Sequence, residues 1–361
     1  MRGARYSKSV QKEFSVALNE RVQAYFKDHG TGHNADLSMI MRSVLLFGSY
    51  TAIYLLILLG GVTQLPLLFL LWGLLGLGQA LIGMGIMHDA VHGAYTKNRL
   101  AWQLLQIPII AIGVEHRIWR IEHNILHHTY PNVEGIDQDI HPRFVFRFTE
   151  HQPRRWFHAF QHIYATFIYG LLIIEWITVK DFLKVIKYRR MGYIKSRADA
   201  ASLASTILLK KLIFYFIFLY LPLQLLPFAP YIIISMFITM LVVAGIVMTI
   251  IFQLAHVVPD CETENGPAGL AARNWHVYQL QTTCDFAHGN KLLSHLIGGL
   301  NYQIEHHLFP HVCHIHYPAL SIIVKQTAAE YGVAYHYEET FAGAVSGHYR
   351  QLRELGREGG V

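Results

Sequence analysis

Three stretches of this chain gather histidines at spacings that suit a metal ion. His88 and His92 stand four apart in His88-Asp-Ala-Val-His92, and His123-Asn-Ile-Leu-His-His128 repeats that spacing with one more imidazole, giving His123, His127 and His128. The third stretch, Asn301-Tyr-Gln-Ile-Glu-His-His-Leu-Phe-Pro310, sets Gln303, His306 and His307 at i, i+3 and i+4. On a helix those three side chains share one face. Adjacent imidazoles beside a neutral amide pack poorly in an apolar core, whereas neutral imidazole is the commonest metal ligand in proteins. A single His-x-x-x-His pair has a plainer explanation in interfacial hydrogen bonding. His158 and His162 have that spacing too, and are read as surface residues. Three such clusters in one chain are read as a metal face.

The number of imidazoles bears on the number of metals. His256 follows an apolar run directly and, added to the seven cluster histidines, makes eight. A zinc site takes about four ligands, so eight imidazoles suit two ions. Imidazole alone leaves zinc, copper and iron open. The lack of sulfur in the clusters argues against cuprous and iron–sulfur chemistry, and the lack of a Glu/Asp quartet argues against carboxylate di-iron bundles. Gln303 is read either as a weak ligand through its amide oxygen or as the holder of a water. Asp89, Asp137, Asp139 and Asn301 are candidates for fixing the ligating rings from behind. Trp275, Gln279 and Thr283 are candidates for the site entrance. Glu305 is expected to point off the metal face, and His311, His314 and His316 are read as local hydrogen-bonding residues.

These clusters need a scaffold, and composition says which kind. The chain has 361 residues, 53% of them hydrophobic, with 23 His and only 3 Cys. Its mean hydropathy is +0.28, which points to membrane spans. Cys261, Cys284 and Cys313 form no Cys-x-x-Cys pair, so neither a disulfide framework nor a thiolate zinc site is expected. Basic residues flank apolar runs rather than forming a module, which excludes a nucleic-acid binder. Four spans are expected, at about 43–61, 65–87, 212–229 and 231–255. A cytosolic segment 1–38 would precede a membrane domain 39–319, and 320–361 would form a cytosolic tail. Segment 1–34 has no apolar region of signal-peptide type. The run 100–114 is short, contains Pro108 and is read as interfacial or re-entrant.

Parity then assigns 157–174. The clusters can share metals only from one side of a membrane, so an even number of spans must separate His128 from His306. Segment 157–174 is therefore expected to lie along the interface. The turns at 62–64 and 227–230 contain no Lys or Arg, so by the positive-inside rule both termini and all clusters are expected to be cytosolic. The fold class is an all-α integral membrane protein of four spans with interfacial helices and a cytosolic helical cap.

The motifs His88-Asp-x-x-His92, His123-Asn-x-x-His127-His128 and Gln303-x-x-His306-His307 resemble those of the integral-membrane fatty acid desaturases. Gln303 in place of a first histidine is similar to the front-end, linoleoyl-CoA-desaturase-like branch, as are the loop 130–140 and the stretch 298–310. The resemblance covers about 41–319. It implies a non-haem centre of two iron ions, held by His88, His92, His123, His127, His128, His256, His306 and His307. That centre would use O2 and two electrons to place a cis double bond in an acyl chain. The expected substrate is an acyl-lipid, acyl-CoA or acyl-ACP. The His-Pro-Gly-Gly haem signature of fused cytochrome b5 domains is absent from this sequence, so a separate donor, ferredoxin or cytochrome b5, is expected. The architecture resembles a bacterial inner-membrane member. Two alternatives stay open: a hydroxylase or ketolase of the same superfamily acting on alkane, carotenoid or lipid, and a metal transporter or metal-responsive membrane protein. The transporter ranks last, because the expected spans contain no ionisable residues between their ends.

Overall fold

The structure is a computed structural model and describes residues 6–140 and 144–357. Among the described residues, five helices are long and apolar enough to cross a membrane: α2 (Leu37–Leu59), α3 (Leu65–His92), α6 (Trp156–Arg190), α7 (Arg197–Leu225) and α8 (Pro230–Gln253). Between and around them lie α1 (Lys12–His29), α4 (Arg99–Ala111) and a short α5 (His116–Trp119) that runs on as Arg120–His127. After α8 come α9 (Trp275–Thr282), α10 (Lys291–Leu296), α11 (Gln303–Leu308), α12 (Tyr317–Glu330) and α13 (Phe341–Arg357). Strands β1 (Asp285–Phe286) and β2 (Tyr337–Glu338) pair in parallel. The architecture is that of a mostly helical, multi-pass membrane protein.

The apolar sequences of α3 and α8 form the centre of the bundle. Trp72, Leu75, Met236, Met240 and Ala244 are buried between them and their neighbours. Glycines set the approach: a Cβ on Gly76 would lie 2.2 Å from the Met240 carbonyl oxygen, and one on Gly245 would lie 2.7 Å from that of Tyr169. The outer faces instead expose Leu45, Leu59, Leu70, Leu209, Leu212 and Tyr231, which suits contact with lipid.

Two helices change pitch where the histidines begin. Gly83–Met87 in α3 and Arg120–His127 after α5 are π-helical, with His88 N–H reaching the Gly83 oxygen and His128 N–H the His123 oxygen. A π turn closes from i to i+5 and is often found at functional sites. The widened turn brings residue i+5 back beneath residue i, so His127 and His128 both stay on the side of His123. An ordinary α-turn would splay them.

Helix α6 is longer than its sequence suggested. It continues through a π turn at Trp176–Lys180 to Arg190, and the chain then breaks at Gly192, which has φ of 86°. Near its start, Tyr164 Oη donates to the Val145 oxygen at 2.7 Å and Gln161 Nε2 to the Arg147 oxygen at 3.0 Å. Near its other end, Lys184 Nζ donates to Gln138 Oε1 at 3.2 Å, and Lys180 pairs with Glu122 at 3.0 Å. Both ends are thus tied to the chain around and after the second histidine cluster. His158 is not a surface residue as expected: its ring is buried, donating from Nε2 to the Phe144 oxygen and accepting the Arg155 N–H at Nδ1.

Helix α7 also begins earlier than its expected span, behind a capping box in which Ser196 and Asp199 satisfy each other's backbone N–H. The expectation of 212 stopped at Lys210 and Lys211. Inside the fold, Lys211 pairs with Asp181 at 2.9 Å and Lys210 with Glu115 at 2.8 Å. Helix α4 is short and contains Pro108. Just beyond it, the Ile112 oxygen accepts a 3.1 Å hydrogen bond from Gln79 of α3.

Candidate metal centre

All eight candidate histidines come together in one buried layer. His88, His92, His123 and His306 present ring nitrogens within 4.8 Å of one another, and His127, His256 and His307 do the same. His128 stands between the groups, with its ring centroid 4.5 Å from that of His306 and 4.4 Å from that of His307. His88 Nε2 lies 3.3 Å and His128 Nε2 3.2 Å from His123 Nε2. Two imidazole nitrogens sharing one ion at bonds of about 2.1 Å lie roughly 3 Å apart, so these separations suit shared ligation.

The far nitrogens show how the rings are aimed. His127 Nδ1 is 3.0 Å from Asp137 Oδ2, His306 Nδ1 3.1 Å from Tyr317 Oη, His307 Nδ1 2.9 Å from Gln279 Oε1, and His256 Nδ1 3.2 Å from the Thr282 oxygen. A ring that donates from Nδ1 has its lone pair on Nε2. The Nε2 atoms of His92, His256, His306 and His307 are buried without any hydrogen-bond partner. An unpartnered buried nitrogen is costly, and four aimed into one layer are what a metal site requires.

Electrostatics favour the ligating form of most rings. Burial holds His123, His128, His306 and His307 well below the ordinary imidazole range, and takes His256 down to about 3. His127 differs. Burial opposes its charged form, but Asp137 and Asp139 outweigh that and raise it to about 9. A metal there would displace a proton and leave the two carboxylates facing the imidazole.

The remaining candidates divide. Asp137 is fully buried and also accepts the N–H groups of Asn132 and Asp139, so its orientation is fixed. Asp139 lies farther off, 3.5 Å from His127 Nδ1 and 3.8 Å from His123 Nδ1. Asp89 does not support its neighbour: its nearest approach to His88 Nδ1 is 3.9 Å, whereas it accepts His314 Nδ1 at 2.8 Å and Cys313 Sγ at 3.1 Å. It ties the end of α3 to the stretch after the third cluster. Asn301 reaches no histidine either; its Nδ2 donates to Ser294 Oγ at 2.9 Å. Gln303 is buried in α11 with Nε2 unpartnered. Glu305 points away from the histidines, as expected, toward Asp285 and Tyr335.

Several residues at the site carry no spacing signal in the sequence. Tyr317 and the Thr282 carbonyl are two, and Gln279, expected at an entrance, instead orients His307. Asn132 Nδ2 donates to the oxygens of His256 and Thr282, joining the second cluster to the end of α8. Trp119 stacks on His123 with centroids 4.2 Å apart. Phe252 lies 6.2 Å from His88 and 6.0 Å from His123.

Sequence comparisons identify the family. The fatty acid desaturase family model matches residues 32–339. The chain is 34% identical to an acyl-lipid (8-3)-desaturase of Physcomitrium patens, over 97% of this chain and 73% of that protein. It is 33% identical to an sn-1 linoleoyl-lipid 6-desaturase of Synechocystis sp., over 97% and 98%. A protein of the same description from Arthrospira platensis is 30% identical, over 95% and 92%. With its histidine layer at the ends of apolar helices, the chain belongs to the fatty acid desaturase family and is an oxidoreductase that desaturates fatty acyl chains.

Proposed function

We propose that the eight histidines hold two iron ions, one among His88, His92, His123 and His306 and the other among His127, His256 and His307, with His128 at their junction. The observation that carries this is the set of buried, unpartnered Nε2 atoms on His92, His256, His306 and His307, three of whose rings are fixed from behind. Such a pair supplies the oxidising power to take two hydrogens from adjacent methylenes, with O2, two electrons and two protons, leaving a cis alkene and two waters.

The chain's own residues supply the rest. Asp137, Tyr317, Gln279 and the Thr282 carbonyl hold the rings in one tautomer and orientation. Trp119, against His123, and Phe252, near His88, place apolar rings beside the ligands and help to keep water from a reaction that must not be diverted. Gln303, beside His306 and His307, is placed to hold a water or to ligate through its oxygen.

The acyl chain is delivered on a lipid, as the names acyl-lipid and linoleoyl-lipid desaturase indicate for those relatives. The electron donor is a separate ferredoxin or cytochrome b5. The bundle has four crossings, with α6 lying along the cytosolic leaflet of a bacterial inner membrane. The bonds from both ends of α6 to residues 138–147 support this, as do its exposed Trp156, Phe160, Ile163 and Phe167, which suit an apolar face immersed in lipid. Expression with a partner reductase in a host of simple lipids, followed by mass spectrometry of its fatty acids, tests the reading. A new cis double bond is expected. A hydroxyl or keto product, or an unchanged lipid profile, would overturn it.

A further inference from the structure

Helix α11 has a second polar face, and it points away from the histidines. There Glu305, Asp285 and His288 present one donor atom each within 4.8 Å of one another. His288 Nε2 lies 2.9 Å from Asp285 Oδ2, Tyr335 Oη lies 2.5 Å from the same oxygen, and Tyr335 Oη also reaches Glu305 Oε1 at 3.1 Å. Asp285 and Glu305 are both completely buried with their carboxyls in contact, and no N–H or hydroxyl donates to Glu305 Oε2. Among the described residues, neither carboxylate pairs with a lysine or arginine. Two buried carboxylates facing one imidazole leave negative charge that burial strongly disfavours.

The donors are also held in place before any ligand arrives. The His288 ring lies between two tyrosines, 4.0 Å from Tyr302 and 4.5 Å from Tyr337. The Ile304 N–H fixes Asp285 Oδ1 at 2.8 Å. The strand pair of Asp285–Phe286 with Tyr337–Glu338 holds the backbone just before His288 beside the backbone just after Tyr335. Two carboxylate oxygens, one imidazole nitrogen and a phenol oxygen in a rigid pocket form a donor set suited to a divalent cation of the zinc type.

We propose that Asp285, His288 and Glu305, with Tyr335 beside them, bind a third, mononuclear divalent cation that braces the back of α11. The front of that helix presents His306 and His307, so the cation would fix their backbone without touching the acyl chain or the histidine layer.

The test is metal analysis of the purified full-length protein together with anomalous diffraction at the zinc edge after growth with zinc. The expected result is one metal equivalent more than the histidine layer holds, with a peak among Asp285, His288 and Glu305. His288→Ala should lose one equivalent and that peak. His307→Ala should keep the peak, which separates failure of this site from failure of the histidine centre. Should His288→Ala not fold, Glu305→Gln, which preserves shape, should lose the same peak. No density at the three residues in the unsubstituted protein, or a metal count unchanged by both substitutions, would overturn the proposal in favour of a proton shared between the two carboxyls.

Discussion

Tyr317→Phe isolates how the layer is held, because it removes one oxygen and keeps the ring. Tyr317 is almost fully buried, and burial holds its phenol far above the ordinary range, so the group is neutral. Its Oη lies 3.1 Å from His306 Nδ1, whose Nε2 is unpartnered. With Nε2 committed to a metal, Nδ1 bears the proton and donates to the hydroxyl oxygen. The phenylalanine leaves that N–H buried without an acceptor, a cost of about 1–3 kcal/mol. At about 1.4 kcal/mol per tenfold, this corresponds to roughly 10–100-fold weaker metal binding, the range seen when residues supporting ligands are removed. The assay is metal retention across a graded chelator series, with parent and variant side by side. The variant should release an ion at about 10–100-fold lower chelator strength while keeping the folded helical content of the parent. Superimposable retention curves would refute the idea that Tyr317 orients His306.

Four further outcomes follow from particular contacts. Asp137→Asn should weaken metal retention by a similar ~10–100-fold and lower double-bond formation, because the amide cannot replace both of the acceptor oxygens that serve His127, Asn132 and Asp139; lipid analysis of the expression host checks this. His348, buried and neutral between Tyr169 and the Val257 carbonyl, is held down to about 4, so the unfolded chain takes up a proton that the folded one does not between about 6.5 and 4. The His348 contribution is therefore complete above that window and is lost, by about 3 kcal/mol, as pH drops through it, and the acid-side fall of the apparent melting temperature in detergent should be shallower in His348→Phe than in the parent. Gly245→Val should destabilise the bundle by about 1–3 kcal/mol through the Tyr169 carbonyl, whereas Gly48→Ala, which meets nothing within 4 Å, should be neutral or mildly stabilising by the same melting assay. His151→Cys and Tyr193→Cys should react with an impermeant maleimide from the cytosolic side and Gln64→Cys from the opposite side; labelling of the first two from opposite sides would mean that α6 crosses.

The candidate ligands were legible in the sequence because their signal is local. Each cluster is short, and the first follows an apolar run that predicts its depth. His256 was found by position at a span end, since it has no histidine neighbour in sequence. The supports were hidden for the opposite reason. Tyr317 lies 11 residues from His306 and Gln279 lies 28 from His307, with nothing in their spacing to announce the contact. Asp89 misled through adjacency to His88: its carboxylate turns to His314, 225 residues away in the chain. The π turns leave no mark in the sequence, because nothing in the residues of 83–87 or 120–127 separates an i+5 turn from an ordinary α-turn. The extents of α6 and α7 were misjudged where buried ion pairs, such as Lys211 with Asp181, interrupt the apolar pattern without ending the helix.

The central claim is that imidazoles from three distant stretches and the end of α8 hold two irons side by side. Anomalous diffraction at the iron edge from the iron-loaded protein tests it most directly. Two peaks are predicted, one bounded by His88, His92, His123 and His306 and the other by His127, His256 and His307. A single peak, or iron density away from these rings, would contradict it.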